Sequence, residues 1–194
     1  MTEIRLEVST YRVARAEARA LSMQVTAIKE QITPANGDDD VGRQMALLVT
    51  GALAVELYFK AFMICARGGR VTQGHDLNGL YKEFPPFLKS SFEAEYARLI
   101  ASEPPTYRIS AFQISPNAPP PPAGDCPPYR FDSFSSSITS LARAFVTYRY
   151  FFEEIGHDRW AYLPFPAQFV TAMLSALEIT FTRLEKGEFK GGAI

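Results

Sequence analysis

Apolar side chains recur in this chain at alternating steps of three and four residues, the spacing that places them on one face of an α-helix. The first such stripe runs from Ile4 to Ile32 and predicts one unbroken helix, with Thr2 as its N-cap and Thr33-Pro34 at its end. Two later stripes run from Phe134 to Ile155 and from Phe169 to Leu184. No window shows sustained two-residue alternation, so the sequence predicts an all-α fold.

The segment from Met45 to Ala66 is apolar along almost its whole length and is long enough to cross a membrane. It carries Glu56 and Lys60 near its middle, and each would cost about 2.5–3.5 kcal/mol at the centre of a bilayer. At a spacing of i,i+4 the same two side chains form a favourable pair on a helix in water. We therefore predict a central helix covered by its neighbours, and no membrane contact.

Acidic residues, glycines and prolines mark where the helices begin and end. Asp38 to Asp40 lie where acids favour a helix N-terminus, and Arg67-Gly68-Gly69 is a typical helix end. A short helix is predicted after His75-Asp76-Leu77, and Pro166 suits the first turn of a last helix.

Most of the 14 prolines fall between residues 103 and 131, where they exclude a regular helix. We expect an extended insertion there, whose ends are held to the bundle by aromatic side chains. Trp160 is expected in a loop, packed on the end of the bundle. The sequence thus predicts a single domain over residues 1–194, an antiparallel bundle of four to five helices with a proline-rich insertion at 103–131.

The charge balance limits the classes of partner. There are 20 basic and 21 acidic residues, which excludes a polybasic, histone-like protein but allows a local basic patch. The two cysteines lie in unlike settings, Cys65 in an apolar run and Cys126 among prolines, so neither a disulfide framework nor a zinc site is expected. The charged first residues lack the pattern of a signal peptide, which predicts a cytoplasmic protein.

The common catalytic signatures are missing from the sequence, including the glycine-rich phosphate loops, HExxH and GxSxG. His75 and His157 are the only histidines, too few for a multi-histidine metal site. We therefore predict neither a metal ion nor a cofactor.

Three short motifs carry a family resemblance. The central helix contains Glu56-Leu57-Tyr58-Phe59-Lys60, a glycine turn leads into Gly74-His75-Asp76-Leu77, and a later helix contains Arg149-Tyr150-Phe151-Phe152-Glu153. Across about residues 40–155 the chain resembles the HEPN superfamily (higher eukaryotes and prokaryotes nucleotide-binding). The resemblance implies a helical bundle, usually homodimeric, of prokaryotic defence and toxin–antitoxin systems, with a protein partner such as a nucleotidyltransferase-like antitoxin. Many members are metal-independent RNases, and others only bind nucleotides, RNA or protein.

Active members of that superfamily carry an arginine and a histidine separated by four to six residues at the dimer interface. An arginine offers a permanent charge to a phosphate, and a histidine can move a proton near neutral pH. Here His157 follows Arg149 one position too late and beyond Gly156. Eight residues at about 100° each turn the two side chains roughly 80° apart on a continuous helix. The RNase motif is therefore degenerate.

Structural interpretations stand beside the functional ones. Arg149 and Glu153 have the spacing of an ion pair within a helix, which Glu56 or Lys60 could join across the bundle. His75 is expected to hydrogen-bond the end of a neighbouring helix. Asp76 is expected to cap the short helix that follows it.

A stripe of arginines follows the first predicted helix: Arg5, Arg12, Arg15 and Arg19. None of them has an acidic residue three or four positions away. Such arginines suit the phosphates of RNA, but they equally suit acidic groups on a neighbouring helix, a second subunit, or solvent.

Together these patterns predict a non-enzymatic binding module that acts as a homodimer and contacts RNA, a nucleotide or a protein partner. Arg5, Arg12, Arg15 and Arg19 are its candidate contacts. The first alternative is a metal-independent endoribonuclease that uses Arg149 and His157. The second is a structural assembly subunit without a ligand.

Overall fold

The computed structural model of the chain describes residues 3–5, 7, 9–32, 38–102, 109–113, 130–149, 160–164 and 167–189. Most of these lie in helices: α1 (Thr10–Gln31), α2 (Asp38–Ala66), α3 (Leu77–Lys82), α4 (Pro86–Ser102), α5 (Phe134–Arg149) and α6 (Ala167–Glu185). The short strands are β1 (Glu3–Arg5), β2 (Arg70–Thr72), β3 (Ile109–Gln113) and β4 (Trp160–Pro164). The prediction of a mainly helical chain is confirmed.

The first helix begins later than the apolar spacing predicted. Residues 3–5 form β1, which pairs antiparallel with β2 and places Ile4 opposite the buried Val71. Because α1 begins at Thr10, the prediction of a helix from Ile4 was wrong. A strand partner satisfies the backbone of three residues as well as a helical turn does. Arg5 consequently lies on β1, away from the helix that carries the other three arginines of the predicted stripe.

A second strand pair corrects the expectation for Trp160 and includes part of the proline-rich insertion. β3 lies inside that insertion and pairs antiparallel with β4. In the backbone register Ile109 is opposite Pro164, and Gln113 is opposite Trp160. Trp160 therefore belongs to a strand and not to a loop. Residues 103–108 and 114–129 of the insertion lie outside the described residues.

The central position predicted for α2 is confirmed, since most of its side chains are buried. α2 contacts α6 at Gly51 with Val170, at Tyr58 with Glu178 and at Phe62 with Phe181. These contacts advance in the same sense along both helices, so α2 and α6 run parallel to each other. The sequence predicted an antiparallel bundle, and this pair of neighbouring helices departs from that arrangement.

An aromatic cluster fills the space between α2, α3, α4, α5 and α6. Phe62 lies 4.5 Å from Phe181 and 5.1 Å from Phe92, measured between ring centroids. Phe59 lies 5.0 Å from Phe84, and Phe92 lies 5.3 Å from Phe134. Each fully buried phenylalanine stabilises the fold by about 1.5–3 kcal/mol relative to an exposed one.

By length and composition, one segment of the described residues, Gly42–Ala66 within α2, could cross a membrane. In its most apolar window, 72% of the residues are buried against the rest of the chain. That coverage is typical of the core helix that the Glu56–Lys60 pair predicted.

The C-terminus of α2 directs the chain back along that helix. Gly68 and Gly69 have φ angles of 58° and 92°, and the Gly69 N–H donates to the Ile64 carbonyl at 2.9 Å. Only glycine adopts such angles without strain, so the predicted glycine stop is confirmed. The reversal leads through β2 to His75, close to the middle of α2.

Candidate functional site

A polar cluster lies where the start of α3 meets the middle of α2. It consists of Glu56 and Lys60 on α2 and of His75 just before α3, and we call it the Glu56 cluster. Lys60 Nζ lies 2.5 Å from Glu56 Oε1, which confirms the predicted i,i+4 pair. His75 Nδ1 lies 2.9 Å from Glu56 Oε1 and 3.1 Å from Oε2. One carboxylate therefore holds two basic side chains.

Burial of Glu56 explains why it needs both partners. Its side chain is only 7% exposed, although it lies on a helix that is otherwise almost entirely apolar there. A carboxylate removed from water is strongly destabilised unless charged or hydrogen-bonding partners replace the lost hydration. Lys60 and His75 supply those partners, so removing either one leaves the buried carboxylate less well compensated.

The contact with Glu56 determines which ring nitrogen of His75 remains available for other contacts. An ionised carboxylate can only accept hydrogen bonds, so the hydrogen of this contact is on Nδ1. The ring is 71% exposed, which leaves Nε2 as the nitrogen open to solvent or to a bound molecule. A carboxylate-oriented imidazole of this kind can donate to a phosphate oxygen or move a proton.

The residues after His75 anchor the cluster to α3 and α5. The Asn78 N–H donates to Asp76 Oδ1 at 3.0 Å, so the predicted cap of α3 by Asp76 is confirmed. Thr139 Oγ1 of α5 donates to Asn78 Oδ1 at 3.0 Å. This contact places α5 beside the entrance to α3, and Arg143 follows Thr139 by one helical turn.

Arg15, one of the predicted RNA contacts, is held by acidic residues of α6. Its guanidinium donates to both oxygens of Glu178, at 2.5 and 3.2 Å, and to Glu185. It also contacts the Thr182 hydroxyl and lies 4.6 Å from the ring centroid of Phe181. With a side chain only 12% exposed, Arg15 joins α1 to α6.

The other arginines of the predicted stripe lie in different settings. Arg19 is exposed and lies 3.2 Å from Glu178, so it joins the same acidic group. Arg12 is exposed and its Nε contacts the Tyr11 hydroxyl at 3.4 Å. Arg5 lies on β1, and its side chain is outside the described residues. The sequence left several interpretations of the arginine stripe open. For Arg15 and Arg19, the structure supports pairing with acidic groups on a neighbouring helix.

The predicted catalytic pair falls largely outside the described part of the chain. The backbone of Arg149 ends α5, whereas Glu153 and His157 lie between the described residues 149 and 160. The nuclease role of Arg149 and His157, and the ion pair of Arg149 with Glu153, therefore stay predictions.

Among the described residues, no group of three or more His, Cys, Asp and Glu side chains is placed to hold a metal ion. Cys65 is half-buried, and this burial raises the pKa of its thiol. A raised pKa disfavours the reactive thiolate, which agrees with the packing role expected of a cysteine in an apolar run.

Two polar connections had no local signal in the sequence. His75 was expected to contact a helix end and instead contacts Glu56, nineteen residues earlier. Tyr58 donates to Glu178 at 3.0 Å, and burial together with that carboxylate raises the pKa of the phenol. For the contact of His75 with Glu56, the sequence offered only an indirect signal. A carboxylate on an apolar helix needs partners, and some of them must come from another part of the chain.

No family model matches the chain, and neither a curated protein nor a solved structure matches it. A function is therefore inferred from the geometry of the Glu56 cluster together with the motif resemblance.

Proposed function

We propose that this chain is a non-catalytic, HEPN-like binding module that forms a homodimer and binds phosphate groups of RNA or of a nucleotide at the Glu56 cluster. Its setting is a prokaryotic defence or toxin–antitoxin system, as the motif resemblance implies. The observation that carries the proposal is the exposed imidazole of His75, whose Nδ1 is fixed by both oxygens of the buried Glu56.

Phosphate suits the donors that this cluster presents. Glu56 orients the imidazole so that Nε2 faces outward, and a protonated Nε2 donates a charge-assisted hydrogen bond to a phosphate oxygen. With the imidazole protonated, the cluster carries one positive charge in excess of its single carboxylate. Arg143 adds a further positive charge to α5, one helical turn after the Thr139 side chain that contacts Asn78.

Binding of a fluorescently labelled short RNA, measured by anisotropy over a range of salt concentrations, tests this proposal. We expect His75→Ala to weaken binding by about tenfold or more, since a hydrogen bond to a charged group contributes about 1.5–3 kcal/mol. Glu56→Gln should weaken it as well, because the amide no longer fixes the Nδ1 hydrogen.

Lys186→Ala is the matched control, since Lys186 is an exposed cation beyond the end of α6. It should leave the affinity for RNA unchanged. Equal affinity in the wild type and in His75→Ala would reject the Glu56 cluster as the binding site. A wild type without affinity for RNA or nucleotides would favour a protein partner or an assembly subunit without a ligand.

A second candidate function, a metal-independent endoribonuclease, is favoured by the same pairing of His75 with Glu56. In such a reaction Nε2 takes the proton of the 2′-hydroxyl, and the 2′-oxygen attacks the phosphorus. The P–O bond to the 5′-oxygen then breaks, and a general acid protonates that leaving oxygen. His75 is a second candidate for the base beside His157 of the degenerate motif.

Incubation of labelled RNA in EDTA with the wild type, His75→Ala and His157→Ala separates these possibilities. Loss of cleavage in His75→Ala alone would assign the base to the Glu56 cluster. Loss in His157→Ala alone would assign it to the pair of Arg149 and His157. An inactive wild type would exclude this candidate and leave the non-catalytic module.

A further inference from the structure

α1 carries a second apolar face besides the one that packs into the core. Its buried residues include Ala18 and Val25. Five other apolar residues at steps of three and four are exposed, and we call them the outer stripe: Val13, Ala16, Ala20, Met23 and Ala27. At about 100° per residue they lie on the side of α1 opposite to Ala18 and Val25. The solvent face of a surface helix is ordinarily polar, so this stripe requires an explanation.

The outer stripe includes the two most exposed large apolar side chains of the described residues. Met23 is 74% exposed and Val13 is 62% exposed. Both lie on the same heptad repeat, in which Val13, Ala20 and Ala27 occupy a positions and Ala16 and Met23 occupy d positions. An a and d repeat over two heptads is the pattern by which one helix packs against another.

The charges beside the outer stripe select the partner and its direction. Arg12 and Arg19 occupy g positions on one edge, and Glu17 and Gln24 occupy e positions on the other. In a parallel pair of helices each g residue faces the e residue five positions later on the other helix. Arg12 would then face Glu17 of the partner subunit, and two-fold symmetry would form this contact twice. An antiparallel pair would instead bring the two arginine edges together.

Arg12 and Glu17 are both exposed and available for such a contact. In the described part of the chain Glu17 has no hydrogen-bond or ion-pair partner, and the Tyr11 side chain is what Arg12 contacts. We propose that the outer stripe of α1 is the surface through which two copies of this chain pair, with their α1 helices parallel about a two-fold axis. This inference specifies the homodimer of the proposed function, without using the Glu56 cluster.

The stripe is short, about 21 Å from Val13 to Ala27 at 1.5 Å per residue. Two heptads do not form a stable coiled coil as isolated peptides. Here α1 is already held as a helix by α2 and α6, so pairing does not have to order its backbone. The alanines at three of the five positions allow close approach of the two helices, and Val13 and Met23 supply the larger contacts.

Sedimentation equilibrium of the full chain over a range of concentrations tests the pairing. We expect a monomer–dimer equilibrium whose Kd rises by about tenfold or more in Met23→Glu, because each dimer would bury two unpaired carboxylates. Arg12→Glu and Glu17→Arg should each weaken dimerisation by about three- to tenfold, since each places like charges at both contacts. The double variant should restore the wild-type Kd.

Lys186→Glu is the matched control and should leave dimerisation unchanged, and circular dichroism of each variant verifies that the helices are intact. A chain that stays monomeric, or a dimer that Met23→Glu leaves intact, would overturn the inference. A double variant no tighter than its parents would overturn the parallel arrangement. RNA affinity measured on the same proteins reports on the Glu56 cluster, so failure of the pairing and failure of phosphate binding are distinguishable.

Discussion

Glu56 shows how a single residue can require partners that its neighbours in sequence do not supply. Lys60, one helical turn later, was predictable from its spacing and forms the ion pair at 2.5 Å. His75 reaches the same carboxylate only because the chain reverses after α2 and returns through β2. The residue types were visible in the sequence, but the site was not, since it depends on the path of that reversal.

Asp76 follows His75 and caps α3, and its replacement gives a prediction at the scale of a single residue. We expect Asp76→Ala to lower the free energy of unfolding by about 0.5–2 kcal/mol, because the Asn78 N–H loses its acceptor. Asp76→Asn should retain most of the stability, since an asparagine side chain caps almost as well. Urea denaturation of the three proteins measures the difference. Equal stability of Asp76→Ala and the wild type would contradict the capping role.

The start of α5 shows how one helix positions another. Glu93 of α4 accepts hydrogen bonds from the backbone N–H groups of Phe134 and Ser135, at 2.7 and 2.9 Å. An acidic side chain at this end also complements the helix dipole. Asp132 accepts from the Ser136 hydroxyl, which lowers the pKa of Asp132. The apolar stripe that starts at Phe134 predicted this helix, but it did not predict that α4 supplies part of the cap.

The contact between α2 and α6 predicts opposite effects for two glycines of one helix. A Cβ at Gly51 would lie 2.5 Å from Val170 Cγ1, whereas a Cβ at Gly42 would meet nothing within 4 Å. Gly51→Ala should destabilise the fold by about 1–3 kcal/mol, because a β-branched valine has little freedom to move aside. Gly42→Ala should stabilise it by about 0.5–1 kcal/mol through helix propensity.

Thermal and urea denaturation of the two glycine variants, measured beside the wild type, check this pair. A Gly51→Ala protein as stable as Gly42→Ala would show that α2 and α6 do not approach as closely as described. Combining Gly51→Ala with Val170→Ala should remove the steric conflict and leave only the loss of buried apolar volume.

Across the whole molecule, tyrosine hydroxyls at the edges of the aromatic core link the helices. Tyr96 donates to the Phe131 carbonyl at 2.9 Å, and Tyr81 contacts Glu93 at 3.3 Å. Together with Tyr58, these phenols have pKa values raised above the ordinary value, mainly because burial disfavours the charged phenolate. Their neutral forms are therefore part of the folded state.

The direction of these shifts predicts alkaline unfolding. A raised pKa in the folded state gives a contribution to stability that is complete below the unfolded value of about 10 and is lost as the pH rises above it. We expect Tyr58, Tyr81 and Tyr96 to ionise together with the loss of helical circular dichroism, with tyrosinate absorbance as the second signal. Tyr81→Phe should remove one tyrosine from the group that ionises together with unfolding. Full tyrosinate absorbance in a chain with intact helices would contradict the prediction.

Local patterns in the sequence determined most of the helical structure. The three-and-four spacing indicated α1, α5 and α6, and a long apolar run with a central charge pair indicated α2. The glycines after α2 gave its end. These patterns are local, because helical hydrogen bonds and side-chain faces depend on residues within one or two turns. The same locality made the Glu56–Lys60 pair and the Asp76 cap predictable. The sequence therefore identified Glu56, Lys60 and His75 as candidate residues, but it did not show that His75 contacts Glu56.

The tertiary structure alone decided which distant groups meet. Ile4 fits the apolar spacing of α1, yet it lies in β1 because β2 provides an edge for strand pairing. Arg15 reaches Glu178 across 163 residues of sequence, and no local pattern distinguishes that outcome from contact with RNA or solvent. Charge pairing and strand pairing act through space with little dependence on sequence separation, so they are decided only once the packed helices bring those groups together.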